Sequence, residues 1–308
     1  MFSILTEPRY PSAALGVEAD NLTAISLQGR KGNMSVRQAA TLALPAGLIL
    51  PSFVDTNIVD QREFTSCLHE VVENAGLMGQ KRWSVTMPSG AARTAILTLE
   101  NEPASKQEAD EIIDWKAEQT FGAPALELRL ATQKVAPDKD GRSRYFATAV
   151  KLSVIDEYET IFESIGWRAG LILPRAVGEA AWLVDRVDGD SLLISETTDG
   201  FNAMLMRGAE PAVVRSVTCN AGEIDDEVYR LVMFYNDRFG SAAEGGGLNS
   251  LLVIGKDLVS ANVRKIASEA LGREVRLLSN EEVGLSLPGG GFSFNDLAGP
   301  AGLAALGV

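Results

Sequence analysis

The sequence predicts an α/β fold made of two like-built halves with a cleft between them, and three observations carry that prediction. The stretch from Leu192 to Val217, LLISETTDGFNAMLMRGAEPAVVRSV, alternates as three short strands joined by two tight turns. The stretch from Ala13 to Leu44 has the same build near the start of the chain. After each, helical and strand patterns alternate, as they do where helices cover a mostly parallel sheet. With 308 residues, 46% of them hydrophobic, each half has enough apolar material for a core.

Residues 1–11 are expected to form a flexible arm. The first three strands end at Leu44-Pro45, and AGLILPSFVD reads as an irregular crossing segment. A helix is expected from Gln61 to Ala75: Asp60 can cap it, Glu63 follows three residues on, and Phe64, Leu68, Val71 and Val72 keep helical spacing. Arg82–Met87 reads as a strand stopped by Pro88-Ser89-Gly90. Arg93–Leu99 alternates as another. A helix opening on the capping box Ser105-x-x-Glu108 follows, with Ala109, Ile112, Ile113, Ala117 and Phe121 facing inward. Leu126–Val135 and Tyr145–Leu152 form a hairpin across PDKDGRS, and Glu157–Ile165 is helical. This β-α-β-β-α block reads as a small α+β subdomain inserted at 88–167, leaving 12–87 plus 168–188 as the first lobe and 189–308 as the second. In the second half, Glu223–Phe239 is a helix whose acidic first turn suits the positive end of its dipole. GSAAEGGGLN reads as a flexible connector. Ser250–Ile254 and Glu274–Leu278 are strands flanking the helix Ala261–Leu271, and AGPAGLAAL closes as a short helix after a glycine-rich loop.

Composition removes several function classes. The formal net charge of −13 would repel nucleic-acid phosphates, so no nucleic-acid partner is expected. MFSILTEPRY lacks the pattern of a secretory signal, and no window is apolar over the length needed to span a bilayer. Cys67 and Cys219 lie far apart, which suits a reducing, cytoplasmic setting. Cys67 and the single histidine, His69, stand two apart on a helix and point in different directions, so neither a dyad nor a zinc site is expected.

Five short motifs stand in order along the chain: Leu15-Gly16-Val17-Glu18, Leu44-Pro45-x-Gly47, Thr86-Met87-Pro88 with Arg93, Trp115-Lys116-Ala117-Glu118, and Ala301-Gly302-Leu303-Ala304. As a set they resemble those of the PilM-type proteins of type IV pilus assembly, which have the actin-like ATPase (ribonuclease H-like) fold. The resemblance implies an actin-like bilobed fold with an inserted subdomain in the first lobe. The short interval from Asn220 to Glu223 leaves no room for the helical subdomain that the family usually has there, so the second lobe is expected to be reduced.

The departures concern the nucleotide positions. Where nucleotide-binding members read D-x-G, this chain has Glu18-Ala19-Asp20, placing a carboxylate where a bare turn would meet phosphate. The second phosphate turn begins Ser195-Glu196-Thr197, without aspartate or glycine, and Gly255 is followed by Lys256 where a second glycine belongs. Glu18, Asp20, Ser195, Thr197, Gly255 and Lys256 are therefore expected to be vestigial, with no catalytic residue, no metal and no cofactor. The alternative is an ATP- and Mg²⁺-binding switch in which Lys256 compensates charge. Glu18 and Asp20 are expected on one strand, sharing a face as solvated acids at its end rather than as a metal pair. The resemblance further implies a PilN-like inner-membrane partner whose cytoplasmic N-terminal segment inserts between the main body and the inserted subdomain. Membrane association would then run only through that partner, at the inner face of the cytoplasmic membrane. Pro88, Arg93 and Trp115 are the candidate partner-binding residues. For Trp115, packing against the neighbouring sheet is preferred over a role as an interface anchor.

Overall fold

The computed structural model describes residues 10–184, 189–239, 247–289 and 291–308. Most of the expected arm (1–9) and of the glycine-rich connector (240–246) lie outside the described residues.

The first lobe is a six-stranded sheet. Its strands β1 (Ala13–Val17), β2 (Asn21–Arg30) and β3 (Asn33–Ala43) form an antiparallel meander, followed by α1 (Gln61–Asn74) and β4 (Arg82–Met87). The chain then leaves the lobe through β5 (Arg93–Thr98), α2 (Lys106–Phe121), β6 (Leu128–Val135) and β7 (Arg144–Lys151). It returns through α3 (Leu152–Ser164), β8 (Arg168–Pro174) and α4 (Arg175–Ala180). The second lobe repeats the plan with β9 (Asp190–Thr197), β10 (Gly200–Arg207), β11 (Glu210–Thr218), α5 (Ile224–Phe239), β12 (Leu248–Ile254), α6 (Ser260–Leu271) and β13 (Arg276–Leu277). β14 (Leu285–Ser286) and α7 (Phe294–Ala305) close the chain.

The sheet orders are β14-β3-β2-β1-β4-β8 and β11-β10-β9-β12-β13. Without β14, both follow one order, third-second-first-fourth-fifth, with the first strand antiparallel to the second and parallel to the fourth. The duplication read from the two meanders is thus present strand for strand. Only a single 3-10 turn, Ala221–Glu223, separates β11 from α5, so the second lobe is reduced there.

Local chemistry explains the element boundaries. The carboxylate of Asp60 accepts from the amides of Arg62 and Glu63 and starts α1. Phe64, Leu68, Val71 and Val72 then point into a core shared with Trp83, Tyr158 and Trp167. Each such side chain contributes about 1.5–3 kcal/mol by leaving water. His69 belongs to this packing, with its ring 5.3 Å from that of Trp167. At the turn between β9 and β10, Gly200 has φ +144°, and a Cβ there would collide with the carbonyl of Val217 on β11.

Two boundaries differ from expectation. The sequence places α3 in the inserted subdomain at 88–167, but Val154, Ile155, Tyr158, Ile161 and Phe162 lie in the first-lobe core with Phe64 and Trp83. The insertion proper is the β5-β7-β6 sheet with α2, packed around Leu97, Ile113, Phe121 and Ala147. The C-terminal segment, expected in the second lobe at 189–308, returns to the first: β14 pairs with β3, and α7 packs on β1, β2, β4 and α4. Amphipathic spacing marks a buried face without naming the surface that buries it. Nor is the insertion attached to the first lobe alone. Val135 and Phe146 share a core with Met204 and Met206, and Arg144 donates to the carbonyl of Ala212 on β11.

Candidate functional site

The strand ends of both lobes face a cleft of about 350 Å³ floored by Gly299 and Pro300 of α7. Close helix packing sets its floor. A Cβ on Gly302 would fall inside the carbonyl of Gly178, so α4 and α7 touch backbone to backbone, and the terminal Gly302-Leu303-Ala304 motif is a packing device. Trp182 Nε1 donates to the carbonyl of Ala298 at 2.9 Å and fixes the same contact.

The cleft is lined by five acids, Glu18, Asp20, Glu196, Asp257 and Asp296, and by two cations, Arg175 and Lys256. Glu18 and Asp20 do not share a strand face, because β1 ends at Val17 and both belong to the turn beyond it. Glu18 is mostly buried, not solvated, and its Oε2 lies 3.6 Å from Arg175 Nη1. Burial pushes its carboxyl up to about 7 against the pull of Arg175, with Glu179 and Asp20 adding to the rise. Arg175 also binds the fully buried Glu179, Nε to Oε1, at 2.6 Å. Burial alone would weaken the hold of the guanidinium on its proton, but Glu179 and Glu18 outweigh it and raise the value.

Asp20 turns outward and meets Lys256 Nζ of the opposite lobe at 3.2 Å. Burial opposes its ionisation, but the hydrogen bond and charge of Lys256, with Asn21, prevail and hold its carboxyl below the usual range. Lys256 Nζ also lies 3.9 Å from Asp296. Behind Lys256, Glu196 Oε2 accepts from the amides of Lys256 and Asp257 at 2.6 and 3.3 Å. Asn295 of α7 donates to the carbonyl of Gly255 at 2.7 Å.

Of the six positions expected to be vestigial, Glu18, Asp20, Thr197 and Lys256 meet in this cleft. Gly255 stands just behind Glu196. Ser195 is fully buried, its hydroxyl without a hydrogen-bond partner in the described structure, and it does not line the cleft. Sequence reasoning missed Arg175 and the part played by Glu196. One signal could have found the latter: laid over each other, the two repeats put an acid at the end of the first strand in both.

Two grooves flank the insertion. Pro88 and Arg93 line one of about 500 Å³, together with Phe53, Phe121 and Asn202, and Arg93 stacks 4.3 Å above the Phe53 ring. The other, about 230 Å³, lies between the outer edge of β8 (Ala169 to Pro174) and Arg129, Ala131 and Thr148 of the insertion. Trp115 lies in neither. It is 58% exposed rather than packed on the sheet, because it stands two residues from Ile113 and so faces away from the inward stripe.

No protein-family model matches the chain, and no curated protein matches it in sequence. Among solved structures it is similar to a chain described as the PilM-PilN type IV pilus biogenesis complex, with a TM-score of 0.70 and 16% identity over 97% of this chain and 98% of that one. It is also similar to the ethanolamine utilization protein EutJ from Carboxydothermus hydrogenoformans (TM-score 0.49, 10% identity, 97% and 92% covered). A third likeness is to a Bacteroides thetaiotaomicron protein described as having an actin-like ATPase fold and unknown function (TM-score 0.44, 10% identity, 90% and 94% covered). With the duplicated sheet order, the first of these likenesses establishes the fold: the chain is an actin-like, two-lobed α/β protein with a small subdomain inserted in its first lobe.

Proposed function

We propose that this protein is a non-catalytic adaptor of type IV pilus assembly or a related secretion system, binding the cytoplasmic N-terminal segment of a PilN-like inner-membrane protein. The fold shared with a chain of the PilM-PilN complex supports the assignment. The observation that carries it is the outer edge of β8. β8 ends the six-stranded sheet, so one side of its backbone has no strand partner among the described residues. Leu171, Ile172 and Leu173 are half-buried along that edge, although they sit beside the core. An extended peptide can complete such an edge by main-chain hydrogen bonds, with its side chains in the flanking groove. Among the described residues no helix is long and apolar enough to cross a membrane, and in this reading the partner supplies the anchor at the inner face of the membrane.

The same reading takes the cleft as closed to nucleotide triphosphate. Its support is the lining of five acids against two cations and the carboxylate already seated on the turn amides. Arg175 and Lys256 in that lining are what an ATP- and Mg²⁺-dependent switch would use instead. Equilibrium dialysis separates the two, since a switch requires a Kd tighter than about 10 μM, roughly −7 kcal/mol.

The peptide groove is tested with Ala131→Trp, an exposed position on its wall. Fluorescence anisotropy with the N-terminal peptide of a PilN-like membrane protein should give micromolar binding to the unaltered chain, weakened at least about tenfold by the indole. Equal binding by the variant would remove the β8 edge as the docking site.

A further inference from the structure

At the open end of β12, the N–H groups of two successive residues, Lys256 and Asp257, converge on one oxygen of Glu196, at 2.6 and 3.3 Å. Successive amides aimed at a single point form an anion-binding nest, and a carboxylate accepting from them makes charge-assisted bonds. Gly255 is matched to this arrangement, because a Cβ there would stand 2.7 Å from both Cβ and Oε2 of Glu196. The turn so ordered reaches the first lobe at three points. Its Gly255 carbonyl accepts from Asn295 at 2.7 Å, and Lys256 Nζ lies 3.2 Å from Asp20 and 3.9 Å from Asp296. Asn295 and Asp296 belong to α7, and Asp20 comes just after β1, so each of these contacts joins the second-lobe turn to first-lobe elements.

We propose that the 255–257 turn is an anion site whose ligand is the chain's own Glu196, and that this tethered carboxylate sets the relative position of the lobes with no external anion. A tethered ligand acts at an effective concentration in the millimolar range or above, so dilute free anions do not displace it. Asp20, Asp257 and Asp296 around the turn further disfavour an incoming polyanion. The lobes of this molecule are thereby held in one arrangement constitutively, where a ligand-gated cleft would wait for its ligand.

The test is chemical rescue read as an inter-lobe distance. Spin labels go on Arg62→Cys of α1 and Arg264→Cys of α6, both exposed, in a Cys67→Ser, Cys219→Ser background. With Glu196 present, pulsed electron resonance should give one narrow distance that neither inorganic phosphate nor ATP with Mg²⁺ changes. Glu196→Ala should broaden it, and acetate or phosphate at tens of millimolar should narrow it again by refilling the vacated nest. Glu196→Gln, which keeps the shape but accepts only through a neutral oxygen, should fall between and serves where the alanine variant fails to fold. A distribution as narrow in the variants as in the parent would mean that α7 packing alone holds the lobes. Broadening that no anion reverses would mean that Glu196 acts by bulk. A shift of the parent with ATP would mean that the cleft is still gated. Any of these three results overturns the proposal.

Discussion

The two lobes share one strand order, and at the end of the first strand both carry an acid that looks toward the cleft. Their fates differ because the neighbouring parallel strand ends differently. In the first lobe Gly16 pairs with Thr86, and continuing that register sets Glu18 beside Pro88. Proline carries a Cβ and ring at this place, where Gly255 of the second lobe leaves Glu196 room to come up against the turn. Glu18 has turned instead to Arg175, 3.6 Å away, and its carboxyl has risen to about 7. In the second lobe Ser195 pairs with Ile254, which sets Glu196 beside Gly255 and the open amides beyond it. There the backbone itself takes the charge. The residue just past the fourth strand is proline in one lobe and glycine in the other, and the acid beside it is met by a side chain in the first and by main-chain dipoles in the second.

The contrast presumes that the two turns are held at a fixed spacing by α4 against α7, and the largest expected effect comes from breaking that support. Gly302→Ala drives a methyl into the carbonyl of Gly178, where neither partner has a flexible end to move aside. A loss of about 3 kcal/mol or more is expected in urea titrations, with both lobes unfolding earlier. A variant as stable as the parent would show that the helices can separate without cost.

Glu18→Gln tells the two strand-end acids apart through pH. Its carboxyl titrates near 4.5 when unfolded and near 7 when folded, so between those values the native state holds the proton more tightly. Stability therefore falls as pH rises through this window, and the penalty is complete above about pH 7. Glutamine does not titrate. The variant should match the parent near pH 4 and exceed it by up to about 3 kcal/mol at pH 8. Glu196→Ala should do the opposite, losing about 1–2 kcal/mol at pH 8 with its two charge-assisted bonds. Equal behaviour of the two variants across that range would erase the distinction between the lobes.

Much of the fold is legible from sequence, and for a local reason. Both meanders announce themselves by alternation broken at turns, and Asp60 marks the start of α1 with a side chain that can reach only the amides just ahead of it. The allegiance of α3 and of α7 is not legible, since Tyr158 or Leu297 reports only that it is buried, and the partner lies far along the chain. The cleft is legible by position but not by chemistry. Asp20 and Lys256 each stand out as departures from a phosphate turn, yet their meeting at 3.2 Å spans 236 residues. Arg175 comes after a proline at the end of β8 and carries no local pattern at all. Its importance comes from Glu18 and Glu179, which converge on it in three dimensions.

The smallest effect is expected where the lobes exchange charge directly. Lys256 and Asp20 are joined at 3.2 Å, but their side chains are 60% and 69% exposed. Water screens such a pair and both side chains lose rotamer freedom to form it, so it is worth less than about 1 kcal/mol. A double-mutant cycle with Lys256→Ala and Asp20→Asn should return a coupling of a few tenths of a kcal/mol at low salt. At about 0.5 M salt the Debye length falls to a few ångströms and the coupling should vanish. What remains should persist in salt, because the Asn295 bond to Gly255 and the bonds of Glu196 to the turn carry no exposed cation. A coupling above about 2 kcal/mol that salt leaves intact would instead make Lys256 the principal tie between the lobes. The backbone capture of Glu196 would then be the lesser of the two contacts, and the contrast between the strand ends would lose its consequence for how the molecule is held together.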